Sequence, residues 1–570
     1  RRTLKSLVAD LRYKKLFKRI LLSIAVIVLL SVLIPVTIGI YYFNKADFKC
    51  PNDCIYPEKY VVQVANDSVK YIEQDLLHLN NYGIWEVYIS GSPIQRGTKY
   101  GILTKDLLRY QENVFVEQIK EIIPSDFYLN FLHKLIAIFN WNMASYIPEE
   151  YRKEIYAISK SCSHEFDSFG TPYERQLNYH AAHDIGHAMQ EYMLVGCSSF
   201  AVWNEHTSDS TLLIGRNFDF YVNDDFAKNK IILFMAPENG LKFVSVSWPG
   251  MMGVVSGMNE KGLTVTINAA KGAIPITSAM PISLLVREIL QNASTIQQAF
   301  QIAQDHKTFV SESILVGSAI DKSAAIIEKT PHKTSLYKGN DSKIVCTNHF
   351  QSKDFINDSY NIDNINNSDS KYRYDRLSEL IEEASPLTPY NAVRILRDRK
   401  GINNKEIGYT NQKSINQSIA HHSVVFKPEE LKMWVSTAPW QSGTFLCYDL
   451  KEVFKNPQEL VKTKNKQLAI PADTFFMENE YQQILKYRKQ YKEIKANINK
   501  HQIIPEQEIH SFIQLNPYYY EAYNIIGDYY EEMKDIKKAI IYWKKALDYE
   551  IPSIYESEKI RNKIKDYDKE

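Results

Sequence analysis

The chain has 570 residues, more than one hydrophobic core usually organises, so one large domain with extensions is expected rather than a single compact unit. Its 68 Lys and Arg nearly cancel its 67 Asp and Glu, and a formal charge of +1 excludes the strongly basic face of a nucleic-acid binder. Six cysteines over this length exclude a disulfide scaffold, although Cys50 and Cys54, in CPNDC, could pair in an oxidising compartment.

Residues 1–19 carry Arg1, Arg2, Lys5, Arg12, Lys14, Lys15, Lys18 and Arg19 against one acid, Asp10. From Ile20 to Phe43 no residue is charged, and about 20 apolar residues suffice to cross a bilayer core as a helix. A secretory signal would have a shorter apolar run, roughly 7–15 residues, and a small-x-small cleavage site. This run ends instead in Tyr41, Tyr42 and Phe43, side chains suited to the membrane–water interface. An uncleaved transmembrane helix is therefore expected over 20–43. The basic segment 1–19 then lies in the cytoplasm, and the chain from about residue 44 lies outside it. The Lys-, Asn-, Ile- and Tyr-rich composition suggests an AT-rich bacterium, which would make that space the periplasm.

Between the anchor and Cys197, helical spacing of apolar residues around 66–81, 102–123 and 126–143 predicts a helical segment spanning 44–196. WEVYISGSPIQRGTKYG interrupts it as a short strand, a turn at Gly91-Ser92-Pro93 and a glycine-flanked helix start. From Cys197 to about residue 460 the texture changes to short β-branched and aromatic runs such as TLLIGRNFDF, KIILFMA and GLTVTINAA, which read as strands. Helix-compatible stretches at 281–306 and 372–398 separate them, so an α+β domain of sheets covered by helices is expected. The polar segment 351–371 reads as a loop. Over 475–570 the chain turns helical, and Gly527, Tyr530, Ala539 and Ala546 are placed as in one tetratricopeptide repeat. One repeat cannot bury its own face, so it must pack on a neighbour, and it offers a surface for a protein partner.

Gly196-Cys197, Gly215-Arg216-Asn217-Phe218-Asp219, SWPGMMGVVSGMNEKGLTVTINAAKG (247–272) and Thr347-Asn348-His349-Phe350 occur in this order. Together they resemble the N-terminal-nucleophile (Ntn) hydrolases of the choloylglycine hydrolase and isopenicillin-N acyltransferase type, and GSPIQRGTKYG resembles the pro-segment motif of the acyltransferase branch. The resemblance covers roughly 85–450. It implies an αββα sandwich of two antiparallel sheets between helix layers, and an enzyme that hydrolyses or transfers acyl groups at linear amide bonds without a cofactor.

A cysteine is a good nucleophile only as thiolate, with an unperturbed pKa of about 8.5, so it needs a base or cation nearby. An α-amino group, pKa about 7.7–8.0, can be that base if the cysteine heads its own chain. Cys197 must then be released by cleavage of the Gly196–Cys197 bond, with glycine at 196 permitting a strained backbone. The resemblance makes Cys197 nucleophile and general base. Arg216 and Asp219 match the pair that steadies the thiolate and holds the amine, and Asn268 and Asn348 match the asparagines that bind the tetrahedral intermediate. Arg373 is the choice for the later arginine, with Arg376 competing for the place.

Two other functions stay open. His180, His183 and His187 share one helix face at i, i+3 and i+7, with Asp184 beside them, a set that could hold zinc in a metal-dependent hydrolase. A catalytically silent anchored scaffold, recruiting a partner through the tail, is the second. His421 and His422, opening the strand HHSVVF, are expected to face opposite sides of it.

Overall fold

The computed structural model describes residues 33, 37–46, 51–52, 54, 59–123, 125–188, 194–275, 277–462 and 468–567. The basic segment 1–19 and most of the expected span 20–43 lie outside them, as does Cys50. Of the span, residue 33 and residues 37–43 are described, both helical, the latter within a helix over 37–45. Among the described residues no helix is long and apolar enough to cross a membrane.

Among these residues eleven strands form the larger sheet. Its spatial order is Gln63–Asn66, Val69–Ile72, Asp75–Leu79, Trp85–Gly91, Ile231–Pro237, Phe243–Ser247, Ser256–Asn259, Leu263–Ala269, Glu312–Ser318, Ser323–Lys329 and Thr334–Tyr337. The smaller sheet has six strands, in the order Lys343–Cys346, Ser198–Asn204, Ser210–Phe218, His422–Lys427, Lys432–Ser436 and Phe445–Asp449. The unbroken apolar runs reflect burial on both faces: every residue of Ile231–Pro237, Leu263–Ala269 and Glu312–Ser318 is buried.

The two sheets pack face to face through Ile232, Phe234, Val244 and Leu315 of the larger and Leu212, Ile214, Val424 and Phe426 of the smaller. Helices Pro93–Leu103, Glu149–Ser159, Pro172–Ala188 and Ile282–Asn292 cover the outer face of the larger sheet, where Val87, Leu233, Val265 and Ile314 meet Tyr100, Ile155, Leu177 and Leu285. Helices Ser370–Ala384 and Pro389–Leu396 cover the smaller, on Phe200, Val202, Leu213 and Val425. The layering is helix, sheet, sheet, helix, an α+β sandwich.

Three expectations need correction. The larger sheet is mixed: Trp85–Gly91 runs parallel to Ile231–Pro237, from Trp85 opposite Ile231 to Gly91 opposite Pro237. A parallel pair needs a long crossover, and the helices following Gly91 supply one. The segment 44–196 is not wholly helical, because the apolar residues around 66–81 lie on a meander. There Val69, Ile72, Leu76 and Leu77 are buried, and tight turns between four- and five-residue strands, one with Glu73 at φ 54°, reproduce a helical spacing by chance. Within 351–371, Ser359–Asn367 is a helix, capped by Asp358, whose carboxylate accepts from Tyr360 N at 3.0 Å. Its polar residues are structural: Asn361 is buried and accepts from Phe350 N at 2.8 Å.

The tail forms helices Tyr481–Asn499, Glu506–Leu515, Tyr520–Glu532, Ile536–Ala546 and Ile554–Tyr567 around the fully buried Trp543. Gly527 must be glycine, since a Cβ there would stand 2.3 Å from Trp543 Cδ1. The tail docks on the loop that follows helix Pro389–Leu396. Asn516 exchanges two hydrogen bonds with the backbone of Tyr409 (2.9 and 3.0 Å), Glu550 pairs with Lys405 and Lys413, both at 2.8 Å, and Arg488 Nη2 donates to Ser418 O at 2.6 Å.

Candidate active site

Strand register assembles the site. In the smaller sheet Ser198–Asn204 lies between Lys343–Cys346 and Ser210–Phe218, with Ser199 opposite both Cys346 and Arg216. Cys197 precedes this strand and shares the face of Ser199, because side chains alternate along a strand. That face looks onto the larger sheet, where Ser199 Oγ donates to Asn268 Oδ1 at 2.8 Å, and Asn268 Nδ2 returns to the smaller sheet by donating to Cys346 O at 3.0 Å.

Cys197 is 1% exposed. Arg216 Nη2 approaches its Sγ at 3.7 Å. The same guanidinium donates to Val255 O at 2.8 Å and bonds Ser256 Oγ and Ile267 O, so it is fixed by the larger sheet while it touches the thiol. Burial pushes the Cys197 thiol up to about 11 and outweighs the pull of Arg216. With its amine still tied in the peptide bond to Gly196, Cys197 is therefore a thiol, not a thiolate, at neutral pH.

Arg373, on Ser370–Ala384, reaches the same residue from the other side of the sheet. Its Nη1 donates to Cys197 O at 2.7 Å and to Ser198 Oγ at 3.0 Å, and its Nη2 to Asn348 Oδ1 at 2.7 Å. Asn348 in turn donates to Ala269 O at 2.8 Å, next to Asn268. Arg376 takes no part. It pairs with Asp398 at 2.9 Å and Glu379 at 2.8 Å.

Asp219 is fully buried, and among the described residues neither carboxylate oxygen has a hydrogen-bond partner. Burial pushes its pKa up to about 8, against the pull of Arg373 and Arg216. Its backbone carbonyl accepts from Gly196 N at 3.1 Å, which sets the bond before Cys197 beside it. Gly196 is not in the left-handed region of φ, so no strained backbone calls for glycine there. A Cβ there would stand 2.6 Å from Gln417 Nε2, so a side chain at 196 would push the end of Gln417 aside.

The histidines divide. His180 is buried; its Nδ1 bonds Gln176 O at 2.7 Å and its Nε2 accepts from Met252 N at 2.9 Å, so neither ring nitrogen is left for a metal. His183 and His187 lie on Pro172–Ala188 with side chains outside the description. Among the described residues no group of three or more His, Cys, Asp or Glu could hold a metal ion. His421 and His422 do not face apart: their Nδ1 atoms are 2.9 Å from each other, and His422 Nε2 bonds Ser256 Oγ at 2.8 Å, beneath Arg216. Sequence reasoning missed Gln417 altogether and gave no role to Ser256, inside the 247–272 motif, or to His422, because each acts through a contact that only the assembled sheets create.

Residues 203–439, less than half of the chain, match the family of acyl-coenzyme A:6-aminopenicillanic acid acyl-transferases. An uncharacterized protein of Archaeoglobus fulgidus is 24% identical over 423 residues, covering 65% of this chain and 68% of that protein. The N-acylethanolamine-hydrolyzing acid amidase of Caenorhabditis elegans is 24% identical over 254 residues, covering 43% of this chain and 66% of its own length. Among solved structures, a Caenorhabditis elegans N-acylethanolamine-hydrolyzing acid amidase (NAAA) ortholog superposes with a TM-score of 0.30 at 16% identity, over 41% of this chain and 93% of its own. The middle of this chain is thus similar in sequence to the acyl-coenzyme A:6-aminopenicillanic acid acyl-transferases, and the matched segment holds Arg216, Asp219, Asn268, Asn348 and Arg373 while beginning just beyond Cys197.

Proposed function

We propose that this chain is an Ntn enzyme that hydrolyses or transfers acyl groups at linear amide C–N bonds, with Cys197 as nucleophile after the chain cuts itself between Gly196 and Cys197. Asp219 carries the reading. A buried carboxyl group without a hydrogen-bond partner among the described residues is costly, and this one is near enough to Cys197 to act on its thiol, next to a peptide bond whose cleavage would create an amine. An ammonium or amine on Cys197 is the complement that the carboxylate lacks. Once formed, it serves as base for the thiol, and Arg216 at 3.7 Å favours the resulting thiolate.

Turnover follows from the same groups. The thiolate attacks the amide carbonyl of the substrate, the amine leaves with a proton, and a thioester remains on Cys197. Water or an amine acceptor then takes the acyl group. Asn268 and Asn348, tied to the two sheets, are the donors for the oxyanion, and Arg373 fixes Cys197 and Asn348 relative to each other. The substrate class is a small acyl amide, lipid-like or a peptide-like conjugate, and the chemistry calls for neither metal nor cofactor.

The anchor reading is part of this proposal. It rests on the uncharged run 20–43 and its basic flank, and the exposed Ile38, Ile40 and Tyr41 of helix 37–45 agree with it. The catalytic part would then face the periplasm or its equivalent, with the tail as a surface for a protein partner.

The test is the intact mass of the purified chain beside its Cys197→Ala variant under denaturing conditions, followed by amine release from a panel of N-acyl amides. A fragment beginning at Cys197 in the wild type alone is expected, with amide turnover confined to it. Amide hydrolysis retained by Cys197→Ala would remove the nucleophile assignment.

A further inference from the structure

The geometry points to Gln417 as the residue that stabilises the oxyanion formed on Gly196 during self-cleavage; this rests on the self-cleavage proposed above. Gln417 is 2% exposed, and its Nε2 donates to Gly196 O at 3.2 Å. That oxygen is the atom on which negative charge develops when a nucleophile adds to the Gly196 carbonyl carbon.

The scissile bond is gripped on both sides. Leu194–Val195 pairs antiparallel with Phe220–Tyr221, Gly196 N donates to Asp219 O at 3.1 Å, and Arg373 Nη1 holds Cys197 O at 2.7 Å. Gly196 O, between these grips, faces Gln417. The same amide fills the space that a side chain at 196 would need, so the glycine there and the glutamine above it are one arrangement.

The segment that carries Gln417 is itself held in place. Asn217 Nδ2, on the strand beside Cys197, donates to Leu396 O at 2.8 Å and to Ile415 O at 2.9 Å. Asn416 N donates to Asp398 O at 2.7 Å, Ser418 N donates to Asn416 Oδ1 at 3.0 Å, and Arg488 of the tail donates to Ser418 O at 2.6 Å. A donor fixed before the reaction needs no reorganisation when charge appears, which is what makes such a group effective.

The steps balance. Cys197 Sγ gives up its proton as it bonds to the Gly196 carbonyl carbon, and the π pair moves onto oxygen, where Gln417 Nε2–H donates to it. The pair on oxygen returns to re-form the carbonyl as the C–N bond to Cys197 breaks, and nitrogen leaves with the electrons of the C–N bond and takes the proton lost by sulfur. The thioester between Gly196 and Cys197 Sγ is then hydrolysed by water, leaving the Gly196 carboxylate and a free Cys197 thiol and amine.

The experiment follows first-order cleavage of the full chain by denaturing mass analysis in wild type, Gln417→Met, Gln417→Leu and Cys197→Ala, with melting curves for each. Either apolar variant should cleave on the order of 10²-fold more slowly than wild type while melting cooperatively. Hydroxylamine, which attacks thioesters, should speed the wild type and leave the variants slow, because they fail before the thioester. Cleavage within about threefold of wild type by a folded variant would overturn the assignment, as would rescue to the wild-type rate by hydroxylamine. If Gln417→Met does not fold, Gln417→Leu decides by the same criteria. A wild type as uncut as Cys197→Ala would instead remove self-cleavage, and this role with it.

Discussion

Arg373 and Arg376 sit one turn apart on helix Ser370–Ala384, both buried, and only their partners separate them. Arg373 holds Cys197 and Asn348, so Arg373→Ala should lower turnover by about 10²-fold through misplacement of the nucleophile. Arg376 holds Asp398 and Glu379, so Arg376→Ala should cost about 3 kcal/mol of stability and leave turnover per folded molecule near wild type. Steady-state rates corrected for folded fraction separate the two, and the opposite pattern would exchange their roles. Asp219 gives a pH signature. Burial raises its pKa from 3.8 to about 8, so the folded chain binds more protons than the unfolded chain between those values. Its contribution is therefore fully present below the lower value and is lost as pH rises through the higher one. In a Cys197→Ala background, where the bond stays whole, the urea midpoint measured against pH should fall across that window. Asp219→Asn should remove that part of the slope. Cys197, Arg216, Asp219 and Asn348, which the fold brings together, could be singled out in the sequence because each sits in a short segment whose order is distinctive. Gln417 could not: it lies in INQSIAHH, and its meaning comes from Gly196, which reaches it only in the folded sheet.

Two helices that precede Cys197 and one that follows it meet at a buried network. Glu154, on Glu149–Ser159, accepts from Arg96 on Pro93–Leu103 at 2.9 Å and from Arg287 on Ile282–Asn292 at 2.8 Å, while Arg287 also donates to Met252 O at 3.1 Å. The two arginines hold the Glu154 carboxylate down at about 2 despite its complete burial. Removing it leaves two buried cations without their shared anion, so Glu154→Ala should destabilise the fold by about 3–5 kcal/mol, read as a lowered denaturant midpoint. A wild-type midpoint would mean that water replaces the carboxylate at no cost. Arg96 belongs to the GSPIQRGTKYG motif, and this is what the motif does in the fold: Ser92 caps the helix, Gly97 and Gly101 let it lie close against 154–161, and Arg96 pairs with Glu150 and Glu154. Elements of this kind could be read from sequence where composition and period agreed, as in Trp85–Gly91 and the strands after Cys197. They were misread where short turns counterfeited a helical period at 66–81, or where capping and buried amides made a helix look like a loop at 359–367.

The described residues on either side of the proposed cut are interleaved in one sheet. Trp85–Gly91 is an interior strand, flanked by Asp75–Leu79 and Ile231–Pro237, so the segment before Cys197 supplies part of the larger sheet itself. After cleavage, the pieces on either side of the 196–197 bond should co-elute under native conditions and separate only in denaturant; native separation would contradict the sheet order. Among the described residues the tail is bound to the piece after the cut alone, through Arg488, Asn516 and Glu550 on the loop 405–418.

The position of Gln417 also sets a clock. It lies 221 residues after the bond it faces, and Arg373 lies 176 residues after the carbonyl it holds. At about 5–20 residues per second of synthesis, the ribosome needs on the order of ten seconds or more to deliver the glutamine after Gly196 has been made. Until then a nascent chain would sever itself on the order of 10²-fold more slowly, and the order of translation would guard against premature scission without an inhibitor.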